Sequence, residues 1–429
     1  MLANYVGTLR RFNRNVRFYL LATSLLGFAI DGGVYSVIFN LYLLRLGFGP
    51  EFIGQVNSVG LLTFALSSLP SGAVGARFGN RRMMVVGLVC MVVGGFGLPL
   101  AQLAPVGQIG PVILGAYALL YLGLALYFVN SVPLVMDIAA AEERTHAFSM
   151  QTALLALAAF SGALIGGFLP RLFAALMGMT LHQPAPYRLP LVFAAALMVP
   201  AVWAILSIRH EATADGDMPS AAAGAAHAGG LRGAETGVIL TLVLLSTVRF
   251  FQVGGIGSAS TFFNVYMDAE LSVATGQIGM LAAVARLMGV PAALLTPVLV
   301  ARWGAPRAVL GASTMTALSM LPLALIPHWG AAGLGYVGVT ALSSIRYPAF
   351  LIYSMELVPP NWRGTLAGAG EMSGGLSFAL MAFVGGYLIE AQGFTALFLT
   401  GAVLATVGTL LFYLWFMLPR ARRAVVPTT

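Results

Sequence analysis

Residues 72–82 read Gly-Ala-Val-Gly-Ala-Arg-Phe-Gly-Asn-Arg-Arg, a short turn rich in glycine and arginine between two long apolar runs. A related stretch, Pro-Val-Leu-Val-Ala-Arg-Trp-Gly-Ala-Pro-Arg, occupies 297–307, which lies 225 positions further along. In both stretches an alanine, an arginine, an aromatic residue and a glycine follow one another, and a further arginine stands at the same distance. This recurrence predicts that the chain contains two copies of one architectural unit.

The composition indicates that lipid is the solvent for most of the side chains. Of the 429 residues, 59% are hydrophobic and 8% are charged, whereas an average soluble domain has about 25% charged residues. All 22 cationic side chains are arginines, which excludes a P-loop ATPase because its phosphate-binding loop requires a lysine. The single cysteine, Cys90, excludes an internal disulfide and a multi-cysteine metal site. It is expected to be a small buried hydrophobe, and no cofactor or metal is expected.

Apolar runs long enough to cross a bilayer recur along the chain. About 20 residues span roughly 30 Å of hydrocarbon as a helix, and the runs lack the alternation of barrel strands. The fold class predicted is an all-α membrane protein with twelve transmembrane helices. The spans are predicted at 17–44, 52–75, 83–103, 110–136, 147–170, 188–208, 237–267, 275–301, 308–327, 332–355, 365–390 and 394–418.

The arginines predict the orientation of these spans. With twelve spans, sixteen arginines fall on one side of the membrane, whereas the other side has Arg45, Arg171 and Arg188. The positive-inside rule places the first side in the cytoplasm, so both termini are predicted there and the protein is predicted to be a multi-pass protein of the inner (cytoplasmic) membrane. The sixteen are Arg10, Arg11, Arg14, Arg17, Arg77, Arg81, Arg82, Arg144, Arg209, Arg232, Arg302, Arg307, Arg363, Arg420, Arg422 and Arg423. Nucleic acid is not expected as a partner, since no stripe of basic and aromatic residues occurs.

Further matches divide the chain into two halves. Phe-Asn-Leu-Tyr at 39–42 recurs as Phe-Asn-Val-Tyr at 263–266, and Met-Asp at 136–137 recurs as Met-Glu at 355–356. We therefore predict an N-terminal six-helix bundle at 1–208, a cytoplasmic linker at 209–236 and a C-terminal six-helix bundle at 237–429. Parallel repeats of this kind imply a pseudo-two-fold axis along the membrane normal and suit alternating access to a site near the midplane.

The two loop stretches resemble a motif of the major facilitator superfamily, approximately G-x-L-a-D-r-x-G-r-[RK]-x, and the resemblance covers essentially the whole chain. It implies a secondary transporter whose loop residues take part in a cytoplasmic gate. The family's acidic position is Ala76 here, so the gate lacks that contact. The arginines remain able to pair with helix C-termini or lipid phosphates. The residues that match the motif in the two copies are Gly72, Arg77, Gly79, Arg81, Arg82, Arg302, Gly304 and Arg307.

Five ionisable residues lie inside the predicted spans: Asp31, Arg249, Arg286, Arg346 and Glu371. A charge at the bilayer centre costs about 2.5–3.5 kcal/mol on insertion scales, so such residues usually face a cavity or a partner. If both acids pair with arginines, one arginine is left over. Because guanidinium groups bind carboxylates and phosphates as a fork, that arginine predicts a substrate with an anionic group. The alternative is that it binds backbone carbonyls.

Asp31 and Glu371 are the candidates for proton coupling, since burial raises the pKa of a carboxyl group. On a continuous helix Asp31 would share one face with Tyr35, Ile38 and Tyr42. For Asp31 the alternative is a structural ion pair. For Glu371 the alternatives are a pair with Arg346 or an exposed carboxylate at a helix end.

The polar residues predicted to bind substrate complete the candidate site. They are Tyr35, Asn40, Arg249, Gln252, Asn264, Arg286 and Arg346. Asn40 and Asn264 occupy equivalent repeat positions, which serves helix packing as readily as binding. No catalytic set of residues stands out, so an enzyme is not expected.

The function predicted is a monomeric secondary transporter that moves a small solute by alternating access, with proton coupling and with export favoured over uptake. One alternative is an uncoupled facilitator or sugar carrier, in which Asp31 is purely structural. Another, of a different class, is a membrane enzyme or sensor that does not transport.

Overall fold

The structure is a computed structural model that describes residues 12–140, 143–208, 236–359 and 362–418, and all regular secondary structure within these ranges is helical. The helices are α1 Arg14–Ala29, α2 Val34–Arg45, α3 Pro50–Phe78, α4 Asn80–Leu100, α5 Ile109–Ile138, α6 Arg144–Met177, α7 Ala185–Leu206, α8 Thr236–Ala269, α9 Thr275–Trp303, α10 Ala305–Leu325, α11 Trp329–Glu356 and α12 Arg363–Phe412. Short 3-10 turns at Ala101–Leu103 and Val106–Gln108 join α4 to α5, and a π-helical turn, Tyr413–Met417, follows α12.

Ten helical segments within the described ranges are long and apolar enough to cross a membrane. One of them, Arg14–Arg45, contains α1 and α2, which together form the first predicted span. Another, Arg363–Met417, contains two predicted spans, and its backbone leaves helical geometry at Gly393, where φ is 82°. Together with α11, these segments account for the twelve predicted spans.

The first predicted span is interrupted, which corrects one prediction. The backbone from Ile30 to Gly33 is not helical, and Gly32 has φ of 85°, a conformation that favours glycine. The hydroxyl of Ser36 bridges the break, since it accepts from the N–H of Gly32 at 3.0 Å. Asp31 lies in this break, so counting helical turns from Asp31 to Tyr35 does not place the two on one face.

Helix α6 packs closely against this break through small residues. A methyl group at Gly162 would lie 2.9 Å from the Cα of Gly33 and even closer to the carbonyl oxygen of Phe28. A methyl group at Gly166 would lie 3.1 Å from the Cα of Val34. Glycines therefore allow the two backbones to approach, as small residues do between membrane helices.

The contacts divide the chain into two compact units. The cuts fall between Tyr42 and Leu43, between Ala65 and Leu66, and within the segment 209–235. The segment Leu43–Ala65 therefore groups with the C-terminal helices, and Gln55 donates a hydrogen bond to the hydroxyl of Tyr387 at 2.9 Å. The predicted linker 209–236 lies outside the described residues except for Thr236, where α8 begins. The terminal arginines Arg10, Arg11, Arg420, Arg422 and Arg423 and the linker arginines Arg209 and Arg232 also lie outside them.

The internal repeat is visible in matching contacts within each unit. The guanidinium of Arg144 donates to the carbonyl of Met136 at 2.9 Å, and Arg363 donates to the carbonyl of Met355 at 3.2 Å. The rings of Phe39 and Tyr117 stack at 4.7 Å between α2 and α5, and those of Phe263 and Tyr336 stack at 3.9 Å between α8 and α11. Equivalent residues thus make equivalent contacts.

Candidate functional site

A cluster of polar side chains lies inside the second unit, where three helices meet. Helix α8 supplies Arg249 and Gln252, α11 supplies Arg346 and Tyr347, and α12 supplies Glu371. Residues three positions apart on a helix lie on neighbouring parts of its surface, so Arg249 and Gln252 approach α11 and α12 together. We refer to these five residues as the arginine cluster.

The Arg249 guanidinium group forms an ion pair with Glu371. Its Nη2 lies 2.7 Å from Oε1 of Glu371, which also accepts a hydrogen bond from the hydroxyl of Tyr347 at 2.8 Å. The guanidinium lies over the Tyr347 ring, 4.9 Å from its centroid. The Arg249 side chain is 9% exposed and the Glu371 side chain 62%, so the carboxylate stands at the accessible edge of the cluster.

Glycines on α12 make room for the Arg249 side chain. A methyl group at Gly374 would lie 3.1 Å from Nε of Arg249, and one at Gly370 would lie 3.6 Å from Cδ. A larger residue at Gly374 would displace the guanidinium group from the helix, so this glycine helps to hold Arg249 in position.

Arg346 is a buried cation whose partner is neutral. The residue is 4% exposed, and its Nη1 donates to Oε1 of Gln252 at 3.0 Å. Within the described part of the chain no carboxylate lies within ion-pair distance of Arg346. The charge of Arg249 also acts unfavourably on the Arg346 guanidinium. The cluster therefore contains two cations and one anion.

Three donor nitrogens in this cluster are buried without an acceptor. They are Nε of Arg249, Nε of Arg346 and Nε2 of Gln252. A buried donor without a partner costs about 1–3 kcal/mol. The excess positive charge and the unsatisfied donors together favour a ligand that brings negatively charged oxygen atoms.

Glu371 pairs with Arg249 rather than with Arg346, which was one of the partners predicted for it. Among the other predicted site residues, Arg286 on α9 is exposed. The hydroxyl of Tyr35 donates to the carbonyls of Gly95 at 2.5 Å and Leu191 at 3.2 Å, which engages it in helix packing in the first unit. Asp31 is half-buried in the first unit, and its charge acts on the phenol of Tyr121.

The equivalent asparagines Asn40 on α2 and Asn264 on α8 are 8% and 9% exposed. Both side chains are therefore buried. Cys90, expected to be buried, is half-buried. The described ranges contain no group of three or more His, Cys, Asp or Glu residues suited to holding a metal ion.

The two loop motifs share one backbone geometry. Gly79 has φ of 97° and Gly304 has φ of 80°, and the N–H of each bonds to the carbonyl four residues earlier, in the last turn of a helix. Arg81 donates to the carbonyls of Ile205 and Leu206 at the end of α7, a helix C-terminus contact of the kind that the sequence allows these arginines. Gly72 is half-buried, and Arg77, Arg82, Arg302 and Arg307 are exposed.

One ion pair was not predicted from the sequence. Both terminal nitrogens of Arg45, at the end of α2, contact the carboxylate of Asp268 near the end of α8, at 2.6 and 2.7 Å. The side chains are 16% and 10% exposed. The sequence contained one signal for this pair. Arg45 and Asp268 carry opposite charges and follow the two repeated Phe-Asn-x-Tyr stretches at nearly the same distance.

Comparison with known proteins gives the family and the fold. A family model described as Major Facilitator Superfamily matches residues 21–378 and 245–429. No protein of curated function matches the sequence.

Solved structures of transporters share the fold over nearly the whole chain. A D-xylose–proton symporter is 15% identical with a TM-score of 0.74, and the match covers 97% of this chain and 99% of that one. A bacterial homologue of the human lysosomal transporter Spinster is 16% identical with a TM-score of 0.68, covering 93% and 95%. The nucleoside transporter NupG is 16% identical with a TM-score of 0.65, covering 94% and 99%.

Proposed function

Because the chain belongs to the Major Facilitator Superfamily, a family of membrane transporters, we propose that it is a secondary active transporter for a small anionic solute. The solute crosses the cytoplasmic membrane by alternating access, and its movement is coupled to protons. Export is the proposed direction. The protein acts as a monomer. Both of its termini lie in the cytoplasm, as the distribution of arginines predicts.

The observation that carries this proposal is the burial of Arg346 beside a neutral partner. Its guanidinium group donates to Oε1 of Gln252, and its Nε lacks an acceptor. An anionic group of the solute, a carboxylate or a phosphate, would accept from Nε and from Nε2 of Gln252, and it would offset the excess positive charge. Arg346 and Gln252 are therefore the proposed anion-binding residues, with Arg249 beside them.

Glu371 and Asp31 are the proposed coupling acids. Glu371 is bonded to Arg249 and is accessible, so protons can reach it. When it is protonated, Glu371 no longer neutralises Arg249, which is then available to the anion. Asp31 lies in the break between α1 and α2, where a change of charge acts on a segment in which the helix is interrupted.

The remaining predicted residues have roles outside this cluster. Asn40 and Asn264 are proposed to line the solute path, and Arg286 is the alternative anion-binding cation. Arg77, Arg82, Arg302 and Arg307 are proposed to belong to the cytoplasmic gate, together with Gly72, Gly79, Arg81 and Gly304.

Flux measurements test the coupling directly. Proteoliposomes containing the wild-type protein are expected to carry a labelled carboxylate at least tenfold faster when a pH gradient of one polarity is imposed, because protons then drive the cycle. The polarity that accelerates the flux identifies the direction. Asp31→Asn is expected to abolish the acceleration, and Glu371→Gln to reduce it.

Glu390→Gln is the matched control, since Glu390 is an exposed acid on α12 outside the arginine cluster. It should retain the full response. Flux that does not respond to the gradient in the wild-type protein and is unchanged in Asp31→Asn would favour the uncoupled facilitator. The absence of flux for every anion tested would favour a protein that does not transport.

A further inference from the structure

An apolar groove of about 480 Å³ runs between α8 and α12 beside the arginine cluster. Most of its wall consists of apolar side chains, and the hydroxyl groups of Ser246 and Ser373 stand among them. The main apolar residues are Leu242, Val243, Phe250 and Phe251. Val243 is 55% exposed, so the groove is open along this side.

The groove and the arginine cluster meet at Ser246. This residue lines the groove and also a second, much smaller cavity, whose wall includes Arg249 and Glu371. Ser246 and Arg249 are three positions apart on α8, so their side chains are neighbours on its surface. On α12 the Arg249 side chain lies against Gly374, next to Ser373 of the groove. The positively charged arginine cluster therefore adjoins the apolar groove.

We infer that the solute is an amphiphilic anion whose charged head binds the arginine cluster while its hydrocarbon part lies in the groove between α8 and α12. The inference rests on the proposed function and adds to it the class of substrate. The unsatisfied donors of the cluster supply the site for the head. From Leu242 to Phe251 the groove extends about 14 Å along α8 at 1.5 Å per residue, which accommodates an alkyl chain of medium length.

A series of linear alkanoates from butanoate to dodecanoate tests the inference. Each methylene buried in an apolar site contributes about 0.8 kcal/mol. The affinity of the wild-type protein in lipid nanodiscs is therefore expected to rise about threefold to fourfold per added methylene until the groove is filled. Decanol, which has the chain but no anionic head, is expected to bind at least tenfold more weakly than decanoate.

Variants separate the groove from the surrounding lipid. Val243→Trp places an indole in the groove and is expected to remove the dependence on chain length. Ile239→Trp is the matched control, because Ile239 is 40% exposed one turn earlier on α8 and does not line the groove. It should retain the wild-type dependence. Since partition of the ligands into the bilayer is the same for all three proteins, it cancels in the comparison.

Each of three outcomes would overturn the inference. An equal dependence on chain length in all three proteins would show that the chain partitions into lipid only. Butanoate binding that requires Arg346 but does not strengthen with chain length would refute the groove while leaving the anion site intact. If no alkanoate of any length binds in a manner that depends on Arg346, the proposed anion-binding function itself fails.

Discussion

Arg346→Gln is expected to lower the affinity for anionic solutes by roughly 10- to 150-fold and to abolish their measurable transport. The change removes a charge-assisted hydrogen bond, which contributes about 1.5–3 kcal/mol. Arg346 is 4% exposed and has no carboxylate partner among the described residues, so no side chain there neutralises its charge. Binding by equilibrium titration and flux in proteoliposomes measure the two effects.

The stability of the same variant distinguishes a binding residue from a structural one. A buried cation without a counter-ion destabilises the folded state. Arg346→Gln is therefore expected to keep or raise the unfolding temperature of the ligand-free protein while binding is lost. Arg346→Lys retains the charge but lacks the planar fork, so we expect an intermediate affinity.

Two further arginines complete this comparison. Arg171→Gln, at an exposed position on α6, is the matched control and should bind anions as the wild-type protein does. Normal anion binding by Arg346→Gln would contradict the proposal. Loss of binding in Arg286→Gln in place of Arg346→Gln would move the anion site to α9.

Gly162→Leu is expected to give the largest loss of stability. Its side chain would be directed at the backbone of Phe28 and Gly33, where the first span is broken. Overpacking in a core commonly costs 1–3 kcal/mol, and backbone relaxes less readily than side chains, so we expect about 3 kcal/mol or more. The thermal unfolding temperature in detergent should fall markedly, and the yield of folded protein should fall with it.

Gly115→Leu provides the control for that substitution. Gly115 lies in α5, and apart from the adjoining backbone of its own helix no atom stands within 4 Å of the position its Cβ would occupy. The variant makes the same chemical change in another membrane helix and should unfold near the wild-type temperature. Similar unfolding temperatures for Gly162→Leu and Gly115→Leu would show that the close packing of α6 on the break is not required.

The fold was largely predictable because its signals are local and repeated. Apolar length identifies the spans, and the equivalent glycines Gly79 and Gly304 mark the same turn in both halves. The break in the first span was missed, although Gly32 and Gly33 stand at that point. The surrounding run is apolar throughout, and length and hydropathy do not register a short loss of helical geometry.

The candidate site was predictable as a set of residues but not as an arrangement. Burial cost singles out ionisable residues within apolar spans, which identifies Arg249, Arg346 and Glu371. Which acid pairs with which arginine depends on how α8, α11 and α12 pack, and that is a property of contacts between distant segments. The pair of Arg45 with Asp268 was missed for the same reason, since each residue lies at the end of a span where a charge needs no special explanation.

Ligand-induced stabilisation of the purified protein tests the central claim, that the solute binds through an anionic group, most directly. Matched carboxylates and amides, such as butanoate with butanamide and benzoate with benzamide, differ in charge but little in shape. A ligand that binds the native state stabilises it by RT ln(1 + c/Kd), where c is the free ligand concentration, so a tighter ligand raises the unfolding temperature at a lower concentration. The proposal predicts that at least one carboxylate stabilises the wild-type protein and that the corresponding amide binds with at least tenfold lower affinity. Equal stabilisation by both members of every pair, or by none of the carboxylates, would contradict it.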